Sequence, residues 1–185
     1  EVDESALDKE LAERMDLAPR AVRQLLKSAR EKLFAAREQR VRPGRDDKVL
    51  TSWNALMARG MTRAGRLLGR EDWIDSADRA LRYLQRRHWQ QGRPLATSRD
   101  GRAQLDAYLD DHVFLLDALL EHLQSTWQDD LLSFARAVAD RTLAAFEDPG
   151  HGGFFFTAND HERLLHRPRP LADEAVPNGN AVAIE

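Results

Sequence analysis

Apolar residues recur at helical spacing along most of the chain, and they sort the helices into two kinds. From Asp106 to Leu123, residues Val113, Phe114, Leu115, Leu116, Leu119, Leu120 and Leu123 leave only a narrow polar strip. A helix apolar nearly all round packs among other helices. A second buried helix is expected from about Ser52 to Leu68, carrying Trp53, Leu56, Met57, Met61, Ala64, Leu67 and Leu68. Thr51 or Ser52 is placed to cap it and Gly69 to end it. Each buried helix is followed by a one-faced, surface-type helix. The first runs from about Glu71 to Trp89, with Trp73, Ala77, Ala80, Leu81 and Leu84 on one side. The second runs from about Gln128 to Glu147, with Leu131, Phe134, Ala135, Val138, Thr142 and Phe146.

Between these helices the period changes. Pro94–Thr97 and Ala103–Leu105 flank Asp100-Gly101, a pair suited to a tight hairpin turn. Gly152–Thr157 and Arg163–His166 are expected to form another hairpin around Ala158–Glu162. Upstream, Ser5–Arg14 and Pro19 to about Arg40 read as two helices, followed by a charged Pro-Gly loop over Val41–Lys48. A Pro-rich loop, Arg167–Pro177, leads into Asn178-Gly179-Asn180 and a last helical start. The order is buried helix, surface helix, hairpin, and then the same again. Buried helices that all point one way gather their N-termini at one mouth, where free N–H groups and the helix dipole favour anions and hydroxyl-rich ligands. Repeats of this kind need neighbours to close a core, and the missing initial Met and helical ending set the expectation of a piece of a longer chain.

Composition changes this picture little. The chain has 185 residues, a net charge of −3, 32% charged and 42% hydrophobic residues, which is ordinary for a folded water-exposed domain. It contains no cysteine, which rules out disulfides, thiolate metal sites and a cysteine nucleophile within these residues. No apolar run approaches the ~20 residues needed to cross a bilayer, and no signal-peptide pattern opens it, so a cytoplasmic location and no membrane partner are expected.

Arg45-Asp-Asp-Lys-Val-Leu-Thr-Ser-Trp-Asn54, Tyr108-Leu-Asp-Asp-His112, Gly152-Gly-Phe-Phe-Phe-Thr157 and Pro177-Asn-Gly-Asn180 together resemble the spermatogenesis-associated, thioredoxin-domain-containing family. The resemblance covers about residues 30–185, and Asn178 departs from the Ser usual there. It implies an all-α fold with minor β-hairpins, part of an (α/α)6 toroid similar to N-acylglucosamine 2-epimerases and six-hairpin glycosidases. One partial toroid domain is then expected over 1–185, with lead-in helices over 1–45 and helix pairs with interposed hairpins over 46–185. The resemblance also implies a parent chain with further ring units and a thioredoxin-like domain.

The expected ligand is a small molecule of the sugar type, with no cofactor. Asp111 is the expected acid/base, with His112 as a second catalytic candidate. Trp53 and Tyr108 are placed to stack on a sugar face, and Asn54, Asp110, Asn178 and Asn180 to bond hydroxyls. Arg45 and Asp47 in the preceding loop complete the expected substrate-binding set. Adjacent helical residues point about 100° apart, so Asp110 and Asp111 are not expected to face one substrate as a pair. Each has a structural alternative in capping, packing or ion pairing. His151, His161 and His166, with Asp160 and Glu162, match no tight ligand spacing, so no metal is expected. Lys9–Leu26 also resembles a helix-turn-helix with a basic second helix; Arg20–Arg45 has nine Lys/Arg against two Glu. The 140 residues after Arg45 carry 17 basic against 22 acidic groups, a net −5, so nucleic acid is not expected as a partner. A non-catalytic scaffold supporting a redox domain is the remaining alternative.

Overall fold

The most continuously apolar stretch of the sequence forms the most buried helix. The computed structural model describes residues 4–162 and 164–185. Two units are distinguished, Glu1–Asp46 and Asp47–Glu185. In the first, helices α1 (Glu4–Met15) and α2 (Pro19–Glu38) form a hairpin. Its turn passes through Asp16 in the left-handed region, φ 52°, and the Leu17 N–H donates back to the Ala12 carbonyl at 3.0 Å. Ala12 and Val22 are buried, whereas Leu25, Leu33 and Phe34 are exposed.

In the second unit, strand β1 (Val49–Leu50) runs directly into α3 (Thr51–Leu68). Gly69 takes φ 64° and ends α3 as expected. The start differs from expectation: neither Thr51 nor Ser52 caps it, and Leu50 occupies that position without a side-chain cap. The Thr51 hydroxyl is used elsewhere, donating to the Leu95 carbonyl at 2.6 Å and lying 2.7 Å from His88 Nδ1. The buried face of α3 is also the small one, Thr51, Ala55, Ala58, Thr62 and Gly65, while Trp53, Met57, Leu67 and Leu68 are exposed. Small side chains let neighbouring backbones come close. A methyl group on Gly65 would lie 2.8 Å from both the Arg70 carbonyl and Ile74 Cγ1, where α4 (Glu71–Tyr83) starts its return along α3.

Regular α-helix ends at Tyr83 rather than near Trp89, because Leu84–His88 widens into a π-helical turn. That turn seats His88 between Thr51 and Ser98, with Nε2 2.8 Å from the Ser98 hydroxyl. Burial holds the His88 pKa below the usual imidazole value. Strands β2 (Trp89–Gln90), β3 (Arg93–Arg99) and β4 (Arg102–Asp106) follow. Strand β3 pairs antiparallel with β1, β2 and β4, in registers that set Val49 opposite Ser98, Trp89 opposite Pro94 and Thr97 opposite Gln104. Both tight turns hold two left-handed residues, Gln91-Gly92 (φ 52° and 78°) and Asp100-Gly101 (φ 52° and 74°), as two-residue hairpins require.

Helix α5 (Leu109–Ser125) buries residues around most of its circumference, from Leu109 through Phe114 and Leu119 to Leu123. It packs against α3 on one side and α7 (Gly179–Ile184) on the other. Helix α6 (Asp129–Phe146) covers α5 with the six residues expected of it, Leu131 to Phe146. The inner series is therefore α3, α5, α7, and α4 and α6 lie outside it. Gly152–Thr157 does not form the expected hairpin strand. Gly152 and Gly153 (φ 73° and 72°) turn the chain, Phe154 bridges to Glu147, and the Phe155 N–H donates to the Phe146 carbonyl at 2.8 Å. The partner expected for it begins at Arg163, which lies outside the described residues.

Candidate functional site

The mouth is built where α3, α5 and α7 begin, and most of its polar side chains hold the mouth together. Asp111 is the clearest case. Its Oδ1 accepts the Ser52 N–H of α3 at 3.0 Å, and its Oδ2 accepts the Tyr108 N–H at the head of its own helix, also at 3.0 Å. One buried carboxylate thus satisfies the first turns of two inner helices. Burial raises its pKa, opposed by the N–H donors of Tyr108 and Ser52.

Asn54 donates to the Leu50 carbonyl at 2.8 Å. Asn178 caps α7, its Oδ1 accepting the Ala181 N–H at 3.2 Å and its Nδ2 donating to the Pro170 carbonyl at 3.0 Å. Asn180 brackets Phe154, accepting its N–H at 2.7 Å and donating to its carbonyl at 3.0 Å. Tyr108 stacks on Phe156 at 5.0 Å and tilts against His161 at 5.6 Å. Trp53 is 65% exposed. Arg45 lies in the unit Glu1–Asp46, whereas Asp47 opens the other, and both are exposed.

His112 points away from solvent, 2% exposed. Its Nδ1 donates to the Tyr108 carbonyl at 3.0 Å, its ring stands edge-on to Phe146 at 4.6 Å, and its buried Nε2 has no partner among the described residues. Burial pulls its pKa down to about 4.

Asp110 behaves differently from all of these. It lines a cavity of about 470 Å³ together with Phe156, Pro168, Pro170, Val176, Pro177 and Gly179. Its carboxyl has no hydrogen-bond or ion-pair partner among the described residues, although it approaches α7 closely. A methyl group on Gly179 would sit 2.2 Å from Asp110 Oδ1. Burial, then the Asp111 charge, then the Glu174 charge push the Asp110 pKa up to about 6. Glu174, Arg169 and His166 share the cavity. Arg169 is drawn toward Asp148, with Nη1 2.9 Å from Oδ2.

Of the residues expected from sequence, the cavity holds Asp110 and Asn178. Phe156, Glu174 and the prolines around it were not foreseen there. The available signal was a Pro-rich segment running straight into an inner-helix start, which places Pro168, Pro170 and Pro177 on the cavity lining.

An inner row of helices with outer helices behind it, and a shared mouth at the inner N-termini, defines part of an (α/α)6 toroid. Two solved structures share that fold. The cellobiose 2-epimerase from Spirochaeta thermophila DSM 6192 matches 77% of this chain and 38% of its own, with a TM-score of 0.61 and 17% identity. The cellobiose 2-epimerase from Bacillus thermoamylovorans B4167 matches 62% of this chain and 30% of its own, with a TM-score of 0.56 and 16% identity. In sequence, the chain is similar to spermatogenesis-associated protein 20 of Homo sapiens, 31% identical over 185 residues and 93% of this chain. The resemblance carried by the four motifs therefore extends along nearly the whole sequence. The chain spans 23% of that relative's length. No family model matches it.

Proposed function

We propose that this chain is a carbohydrate-active or carbohydrate-binding domain whose pocket is the cavity at the N-termini of the inner helices. The observation that carries the reading is Asp110, a carboxyl without a partner among the described residues, in a cavity of about 470 Å³. Pockets for small ligands span about 300–1,000 Å³ and combine apolar walls with a few aimed polar groups. Phe156 and the prolines offer the apolar face against which a sugar ring packs, and Asp110 offers a carboxyl to its hydroxyls. The likeness to two cellobiose 2-epimerases favours cellobiose as the first probe. In this reading Asp110 handles the substrate, and Asp111 shapes the mouth by capping α3 and α5.

The test is calorimetric titration of the 185-residue chain with cellobiose and a panel of monosaccharides. Binding is expected for at least one sugar, weakened roughly tenfold or more, about 1.4 kcal/mol, by Asp110→Asn in a variant that stays folded. A folded chain that binds none of them overturns the proposal in favour of a non-catalytic scaffold.

A further inference from the structure

The chain between α6 and α7 walls a second cavity, of about 640 Å³, and its lining is basic. Among the described residues, Arg167, Arg169, His151 and His166 line it with one carboxylate, Asp148. Phe155 supports both arginines, with Arg167 Cζ 4.1 Å and Arg169 Cζ 5.7 Å from its ring centroid.

Asp148 anchors this cluster. It is 7% exposed, and its charge is met from several sides. Oδ1 accepts the Gly150 N–H at 3.0 Å and the His151 N–H at 3.3 Å, and Oδ2 lies 2.9 Å from Arg169 Nη1 and 3.3 Å from His151 Nδ1. The buried carboxylate therefore fixes Arg169 and His151 and is itself satisfied. The guanidinium groups keep donors to spare. Arg169 spends Nη1 on Asp148 and on the Gly152 carbonyl, while its Nε and Nη2 have no partner among the described residues. Arg167 uses Nε and Nη2 on the Thr157 and Ala145 carbonyls, which leaves Nη1 without one there. Carbonyl partners hold the Arg167 side chain in place without cancelling its charge.

His166 and Arg169 also line the cavity that holds Asp110, so the two spaces adjoin along that edge. Their charge differs. Asp110 and Glu174 lie on the first, and both arginines with the paired Asp148 lie on the second.

We infer that the second cavity is an anion subsite of the sugar pocket, and that the ligand is a phosphorylated sugar. This rests on the carbohydrate reading above. Guanidinium groups match phosphate oxygens two at a time, and imidazole N–H groups add further donors. A phosphate, with three strong acceptor oxygens and nearly two charges, uses more of these donors than a carboxylate does. The sugar ring then lies against Phe156 with its hydroxyls toward Asp110, and the phosphate lies past His166 at Arg167 and Arg169. The reverse orientation sets the phosphate beside Asp110 and Glu174, where like charges repel.

The test is calorimetric titration of the 185-residue chain with the 6-phosphates of glucose, mannose and N-acetylglucosamine, with their parent sugars, and with glucuronate and inorganic phosphate. At least one sugar phosphate is expected to bind roughly tenfold or more tighter than its parent sugar, and added salt should shrink that advantage. Arg169→Gln should bring the ratio of the two affinities close to one, and His166→Gln, which leaves the Asp148 pair intact, should lower it several-fold. Parent sugars that bind as tightly as their phosphates overturn this inference and leave the sugar pocket standing. The inference also falls if glucuronate gains as much as the phosphates, or if the ratio is unchanged in both variants while they stay folded. Inorganic phosphate binding with no sugar preference, or no binding at all, overturns both proposals.

Discussion

Asp110 and Asp111 are neighbours in sequence with opposite employment, and the difference comes from where one helical step points each side chain. Asp111 has both oxygens occupied by N–H groups of two helices. Removing such a carboxylate leaves two part-buried donors unpaired, at about 1–3 kcal/mol each where water cannot replace it. Asp111→Ala should therefore lower stability by roughly 2 kcal/mol or more in urea denaturation, and loss of less than about 0.5 kcal/mol would contradict its bridging role. His112 was expected at the site and is instead folded under it, its ring bonded to the Tyr108 carbonyl. The Tyr-Leu-Asp-Asp-His run lies at the start of α5. It does not say which of its members face the opening, because that depends on the helix rotation set by α3 and α7.

At the scale of elements, the packing of α3 on α4 hinges on a missing side chain. Gly65 faces the Arg70 carbonyl and Ile74 at distances no methyl group tolerates, so Gly65→Ala should force the pair apart and destabilise the chain by roughly 1–3 kcal/mol, measured by chemical denaturation. The same sort of detail decides how much of the fold was legible in the sequence. The helices α5 and α6 and the Asp100-Gly101 hairpin were legible, because each has a strong period or a turn pair with a mechanism. The buried face of α3 was not, since its large residues point outward and its small ones pack. Nor was the π-helical turn, which exists to place His88 between Thr51 and Ser98, a contact separated by 37 residues on one side. Gly152–Thr157 has the composition of a strand, but two left-handed glycines turn it back onto the end of α6. The cavity wall was illegible for a related reason: the loop residues line it only because Asn178, at the α7 start, holds the Pro170 and Ala172 carbonyls.

For the whole molecule, the site is a place where folding works against ionisation. A carboxyl with a folded pKa of about 6, raised from 3.8, contributes stability that is fully present below the unfolded value and is lost as pH rises through about 6. His112 runs the other way. Its folded pKa of about 4 lies below 6.5, so its contribution is present above the unfolded value and is lost as pH falls through the folded one. The two partly cancel in the wild-type profile, and replacing Asp110 separates them. The Asp110 carboxyl is half-buried in the cavity at the α5 start, with no hydrogen-bond or ion-pair partner among the described residues. This placement is tested by the difference in unfolding free energy between Asp110→Asn and the wild type, followed from about pH 4 to pH 8. The difference is expected to shift steadily in favour of the variant as pH rises through about 6 and then to level off. A difference that stays flat across that range would place Asp110 at an ordinary carboxylate pKa and contradict this placement.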